Sequence, residues 1–167
     1  MLNKLDRNLN AVYYIFMIQG NQINTVSKNN FLSLMRSYES NYKKISKLID
    51  FRVFEESNIG KNFFFKSNDD NKKLLFFIKS ITTHTAIINF SYDYLNNNLY
   101  VRYTEIKIYF DSKQVEIIKS SNFKNASKKI NNFHALRLSK WYQSYFLSIW
   151  LNNCIQNGYL FKLDSEV

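Results

Sequence analysis

The chain reads as a single α+β domain, a twisted antiparallel sheet of five or six strands flanked by an N-terminal and a long C-terminal helix. Three observations predict it. Apolar residues recur at three- and four-residue steps from Phe31 to Ile49 and again from Leu138 to Cys154, the spacing of one helix face. Between those stretches the period changes to short runs rich in Phe, Ile, Val, Tyr and Thr, broken by turn residues. The chain has 167 residues, 46% of them hydrophobic and 17% aromatic, enough apolar material for one core and too much for a disordered chain.

The elements follow in order. Met1 to about Ser27 reads as an N-terminal extension with one short helix or strand, whose apolar run Ala11 to Ile18 must dock on the main body to stay ordered. Residues 28–167 then make the domain. The first helix carries Phe31, Leu34, Met35, Tyr38, Tyr42, Ile45, Leu48 and Ile49 on one stripe, with Asn29 or Asn30 as its cap and an end near Asp50. Strands are predicted at Phe51 to Glu56, Asn62 to Lys66, Lys73 to Lys79, Thr85 to Tyr94, Leu99 to Phe110 and Gln114 to Lys119, with turns at Asn58 to Gly60, Ser67 to Asn71 and Asn96 to Asn98. The short connections imply an antiparallel meander.

In the fifth strand Leu99, Val101 and Tyr103 share one parity and Ile106, Ile108 and Phe110 the other, so a bulge is expected near Thr104 or Glu105. If Ser112 and Lys113 form the loop of the last hairpin, Phe110 opposes Val115, Ile108 opposes Ile117 and Tyr109 opposes Glu116, with Lys107, Tyr109 and Glu116 on the other face. The closing helix runs from Asn132 or Phe133 to Asn157 with Leu138, Trp141, Tyr142, Tyr145, Phe146, Ile149, Trp150 and Cys154 as its apolar stripe. Gly158 is its stop, since glycine takes the left-handed conformation without steric cost.

Composition narrows the function classes. Lys and Arg number 23 against 13 Asp and Glu, a net charge of +10 that attracts nucleic acid or anionic lipid. The basic residues are scattered, however, and together with abundant Asn, Ile, Phe and Tyr and no Pro they fit the bias of a very AT-rich coding sequence. The run Ala11 to Ile18 is far shorter than the roughly 20 residues of a membrane span, and Gln19, Asn21 and Gln22 after it are poor signal-cleavage residues, so neither a membrane partner nor secretion is expected. A single cysteine, Cys154, excludes an internal disulfide and fits a reducing cytoplasm. His84 and His134 have no acids or cysteines at ligand spacing, and Gly20, Gly60 and Gly158 open no phosphate loop; no metal and no cofactor is expected.

Three blocks of residues resemble one family. Met35, Glu39, Asn41, Tyr42, Ile45 and Leu48 match its first-helix pattern, with Tyr38 where that pattern usually has cysteine. Ile106, Lys107, Ile108, Tyr109, Phe110 and Asp111, followed by Val115, Glu116 and Ile117, match its hairpin. Phe146, Leu147, Trp150, Leu151, Cys154, Ile155 and Gly158 match its closing helix. On these blocks the chain resembles the YqiB-like family, small proteobacterial proteins classed as a domain of unknown function. The family's Tyr-Asp-Tyr-Pro-Asn is missing, and its polar stretch before the last helix reads Ala135, Leu136, Arg137, Leu138, Ser139, Lys140, so only Arg137 and Lys140 are kept. If that stretch is a site in the family, the resemblance implies that it is degenerate in this member.

The candidate functional residues are therefore Glu39, Asn41, Tyr42, Lys107, Tyr109, Asp111, Glu116, Arg137 and Lys140. Glu39, Asp111 and Glu116 are the acids available for acid-base work, and the bland alternatives for them are a helix-surface charge, a turn residue and a cross-strand partner. Asn41 lies on the apolar stripe, so its amide must find partners, at a sheet edge or at a ligand. Tyr100, Arg102, Lys107 and Tyr109 are the candidates for stacking and neutralising single-stranded nucleic acid. Three roles remain, and a non-catalytic accessory module that docks on a protein partner ranks ahead of nucleic-acid binding and of a degenerate enzyme or ligand-binding protein. Nothing in the sequence fixes the oligomeric state.

Overall fold

The computed structural model describes residues 31–66, 73–93, 103–120 and 133–161. The N-terminal extension, the Asn29 and Asn30 cap, the turns at Ser67 to Asn71 and Asn96 to Asn98, Leu99, Tyr100, Val101 and Arg102 lie outside the described residues. Helix α1 spans Phe31–Leu48 and α2 spans Phe133–Gln156. The strands are β1 Asn62–Lys66, β2 Lys73–Ile81, β3 Thr85–Asp93, β4 Tyr103–Tyr109, β5 Gln114–Ser120 and the two-residue β6 Leu160–Phe161. They form one antiparallel sheet in the order β5-β4-β3-β2-β1-β6. From β1 to β5 the predicted meander holds. The chain leaving α2 adds β6 beside β1, pairing Phe65 with Phe161.

Strand alternation divides the sheet into two faces. Phe65, Leu74, Phe76, Ile78, Ala86, Ile88, Phe90, Ile106, Ile108, Val115 and Ile117 are buried on one of them. Trp150 of α2 lies against that face, its ring 4.9 Å from Phe90 in an edge contact. The inward side of α1 is Leu34, Tyr38, Asn41, Ile45 and Leu48, residues at three- and four-residue steps as the stripe requires. Gly158 ends α2 with φ +69°, while Tyr159 N–H donates to the Cys154 carbonyl and Gly158 N–H to that of Ile155, the glycine stop read from the sequence.

Four details differ from the sequence reading. Phe51 to Glu56 is not a strand but part of two short 3-10 turns, Phe51–Val53 and Glu56–Asn58. Asp50 caps the first by accepting the Arg52 N–H at 3.0 Å, and the apolar residues are satisfied by an aromatic cluster in which Phe51 and Phe54 meet Phe110 at 5.9 and 5.7 Å. A short apolar run satisfied by side-chain clustering has the same composition as a strand.

The last hairpin is shifted by two residues: Ile108 opposes Val115, Lys107 opposes Glu116 and Tyr109 opposes Gln114. Phe110 leaves the ladder because its N–H donates to the His84 carbonyl at 2.9 Å and its ring joins Phe51 and Phe54, so the loop has four residues and Lys113 takes φ +52°. The shift is even, so Lys107, Tyr109 and Glu116 keep their shared face.

The bulge occurs opposite Glu105 and Ile106, but the extra residue is Ile118 on β5 and not one on β4. Finally, the inward side of α2 is rotated: Tyr145 points outward at 45% exposure, and Ser144 is buried among Phe146, Leu147, Trp150, Leu151 and Cys154. A small residue is required at position 144 by the close approach of α1.

Candidate functional site

That approach is built from serines. Ser37 and Ser144 join through their hydroxyls at 2.7 Å, Ser37 donating to the Leu34 carbonyl, so that Ser144 supplies the shared proton. The Asn41 amide nitrogen donates to the Ser144 carbonyl and hydroxyl, each at 3.0 Å, and Lys44 reaches the Ser148 hydroxyl. Asn41 is fully buried, as its stripe position demands, but it ties α1 to α2 and not to a sheet edge. Its Oδ1 has no partner among the described residues. The contacts advance in the same direction along both helices, so the two run side by side in parallel. Burial lowers the Lys44 pKa from its ordinary value.

A second cluster gathers four of the sequence candidates at β4 and β5. Tyr109 Oη donates to Glu116 Oε1 at 2.7 Å, and Lys140 Nζ from the start of α2 donates to Glu116 Oε2 at 3.0 Å and to the Ile117 carbonyl at 3.2 Å. Lys107, opposite Glu116 in register, places Nζ 5.0 Å from the Tyr109 ring centre. Burial, then the hydrogen bond to Glu116 and its negative charge, push the Tyr109 phenol up to about 12. Burial and the charges of Glu116 and Tyr109 also raise Tyr38, which is inaccessible beneath the cluster.

An acid whose folded-state pKa lies above its unfolded value stabilises the fold fully below the unfolded value and loses that contribution as the pH climbs through the folded one. Stability should therefore fall between roughly pH 10 and 12. A spectrophotometric tyrosine titration checks this: Tyr109→Phe should remove one of the late-titrating phenols, and a wild-type protein whose tyrosines all titrate near pH 10 would contradict it.

The remaining candidates are dispersed. Glu39 is exposed on the outer side of α1. Tyr42 packs edge-on against Phe51 at 5.3 Å, and burial raises its pKa. Asp111, in the hairpin turn, pairs with His84 of the β2–β3 turn at 2.6 Å, both groups exposed. Arg137 falls on a turn of α2 whose side chains, like that of His134, lie outside the described residues. Glu39, Asp111 and Glu116 thus have separate neighbours, and the structure assembles no carboxylate pair from them. Among the described residues no group of His, Cys, Asp and Glu is placed to hold a metal ion. No helix of the described residues is long and apolar enough to cross a membrane.

One constellation on the outer sheet face lies outside the sequence candidates. Lys79 donates to both oxygens of Glu105 at 3.1 Å, Glu105 is only 8% exposed, and Asn89 stands beside it in register with a buried Oδ1 that has no partner among the described residues. Lys119, opposite Glu105, lies 5.7 Å from the Tyr103 ring. The parity of Glu105 with Lys107 and Tyr109 was the available signal. On this face Tyr103 and Tyr109 each have a lysine on the ring, and Glu105 and Glu116 each have an ammonium partner.

The outer sides of the helices present a different surface. Arg36, Lys43 and Lys47 are exposed on α1, with Lys44 half-buried between them and α2. On α2, Trp141 and Tyr145 stack at 5.5 Å with planes 13° apart, and Tyr142 meets Trp141 edge-on. Trp141 and Ser148 are seven residues apart and share a helix face, so the Ser148 contact to Lys44 puts the aromatic pair along the rim common to both helices.

One family's sequence model, described as protein of unknown function (DUF1249), matches residues 52–160, more than half of the chain. No curated protein and no solved structure matches.

Proposed function

For a chain that belongs to the DUF1249 family of proteins of unknown function, we propose a non-catalytic accessory role in which the outer face of α2 docks on a protein partner. The observation that carries the proposal is the stacked Trp141–Tyr145 pair, with Tyr145 45% exposed on a helix that is already anchored on its other side. Tryptophan and tyrosine are the residues that most often dominate protein interfaces, because they bury large areas at little entropic cost. The three matched blocks support a place among the YqiB-like members, and a lone buried cysteine supports a reducing cytoplasm as the compartment.

The polar cluster around Glu116 reads better as a brace than as a reaction centre. Its carboxylate is committed to Tyr109 across the hairpin and to Lys140, which holds the hairpin to α2. The nucleic-acid alternative would use the outer sheet face. Under the docking reading any affinity for single-stranded DNA should be weak, vanish near physiological salt and be unchanged by Tyr109→Ala, whereas a true stacking face would keep about 1 to 3 kcal/mol per ring that salt does not screen and lose it in Tyr109→Ala. Fluorescence anisotropy at two salt concentrations decides it.

The docking role is tested by a photo-crosslinking residue placed at Tyr145 and, as control, at Glu56, which is exposed in a 3-10 turn. In the native host the first should give one discrete heavier protein adduct. Identical adducts from both positions would contradict the proposal.

A further inference from the structure

Resting on that docking reading, we propose that the partner presents an acidic, aromatic-bearing protein segment, bound along the rim shared by α1 and α2 with its carboxylates on Arg36, Lys43 and Lys47 and its aromatic side chain on the Trp141–Tyr145 stack. The argument is charge complementarity on an organised surface. The 18 residues of α1 contain Arg36, Lys43, Lys44 and Lys47 but a single acid, Glu39. Arg36, Lys43 and Lys47 fall within a narrow arc opposite the buried stripe, because steps of seven and four residues return to nearly the same side of a helix. Glu39 is about 60° away from the Arg36 direction, and none of the three basic groups has an ion-pair partner among the described residues.

From Arg36 to Lys47 the stripe spans roughly 16 Å, about five residues of an extended peptide. Lys44 connects it to the aromatic rim, since its stem crosses to Ser148 and burial there lowers its pKa. A ligand with carboxylates alone would leave the aromatic pair unused, and an apolar one would leave three exposed cations unneutralised. A nucleic acid uses the aromatic part less well, because the Trp141 and Tyr145 rings are already stacked on each other with no gap for a base to enter.

The experiment uses the full chain and three fluorescein-labelled probes: a short peptide alternating Glu and Phe, the same peptide with Lys for Glu, and an oligothymidylate of equal charge. Anisotropy at low salt should show the acidic peptide binding tightest. The Lys43→Glu, Lys47→Glu double variant should weaken that binding by about tenfold or more, and Tyr145→Ala by about fivefold or more, while circular dichroism and melting temperature stay unchanged. Substitutions at Glu55 and Glu56, exposed and remote in sequence, should have no effect. If the oligothymidylate binds more tightly than the acidic peptide, or if the charge reversal leaves peptide binding unchanged, the inference is overturned. The docking reading fails separately, on the crosslinking result at Tyr145, so a discrete adduct there with no acidic-peptide binding rejects only the partner's chemistry.

Discussion

Trp150→Ala should leave little folded protein. The indole is buried where α2 crosses the sheet, with Phe90 edge-on at 4.9 Å and fully buried Leu147, Leu151 and Cys154 around it on the helix. Truncating a large core aromatic removes its transfer free energy and leaves a cavity that strands and helix fill only in part, at a cost of about 3 to 5 kcal/mol. Native domains of this size are stable by only about 5 to 15 kcal/mol, so the variant should melt far below the wild type or accumulate as aggregate. Trp150→Phe keeps most of the volume and should retain the fold. Chemical denaturation of the three proteins measures it, and a Trp150→Ala protein with an unchanged midpoint would show that α2 is not seated on the sheet through this residue.

Asn41→Ala should be the second most damaging change, costing about 2 to 4 kcal/mol. Two hydrogen bonds end on Ser144, and both the Ser144 carbonyl and hydroxyl would be left without those donors inside a closed helix contact. Each lost hydrogen bond costs about 0.5 to 1.5 kcal/mol, and the space vacated by the amide adds a cavity term. Ser144→Ala removes the hydroxyl but keeps the carbonyl contact, so its cost should be smaller, and the double variant should lose less than the sum of the singles because both act on one network. Thermal denaturation of the set gives the coupling. Full additivity would mean that Asn41 stabilises the fold through something other than the Ser144 hydroxyl.

Much of this architecture is legible in the residues, for reasons that can be named. Both helices are legible because their apolar stripes are long, and the C-terminal end of α2 follows from Gly158. β1 was placed without error because Asn62 and Lys66 bracket three phenylalanines. What failed was local. Phe51 to Glu56 has strand composition, yet Asp50 and the aromatic cluster around Phe110 satisfy it as turns. The hairpin register depended on whether Phe110 stays in the ladder, and that is decided by His84, 26 residues earlier and invisible to any local pattern.

The candidate site was legible in the same uneven way. Parity alone put Lys107, Tyr109 and Glu116 together, and the resemblance added Lys140. Asn41 stands out as a polar residue on an apolar stripe, but its partner sits 103 positions away on a helix whose apolar periodicity points Tyr145, and not Ser144, inward. Periodicity could not choose between those sides, because α2 carries large apolar residues around most of its circumference; only the need for a small residue against α1 distinguishes them. Lys79, Asn89 and Glu105 went unseen since each is ordinary on an outer strand face, and only the sheet register reveals their contact.

The bracing cluster inside the fold and the proposed contact surface on its helices are separate, and one comparison tests that separation directly. A Tyr145 crosslinker is carried on three backgrounds in the native host: wild type, Glu116→Gln, and Lys43→Glu with Lys47→Glu. Glu116→Gln should lower the melting temperature by loosening Tyr109 and Lys140, yet still give the adduct at temperatures where it is folded. The charge-reversed protein should melt as the wild type does and lose the adduct. A folded Glu116→Gln protein that loses the adduct, beside a charge-reversed protein that keeps it, would place the function at the cluster and contradict the account.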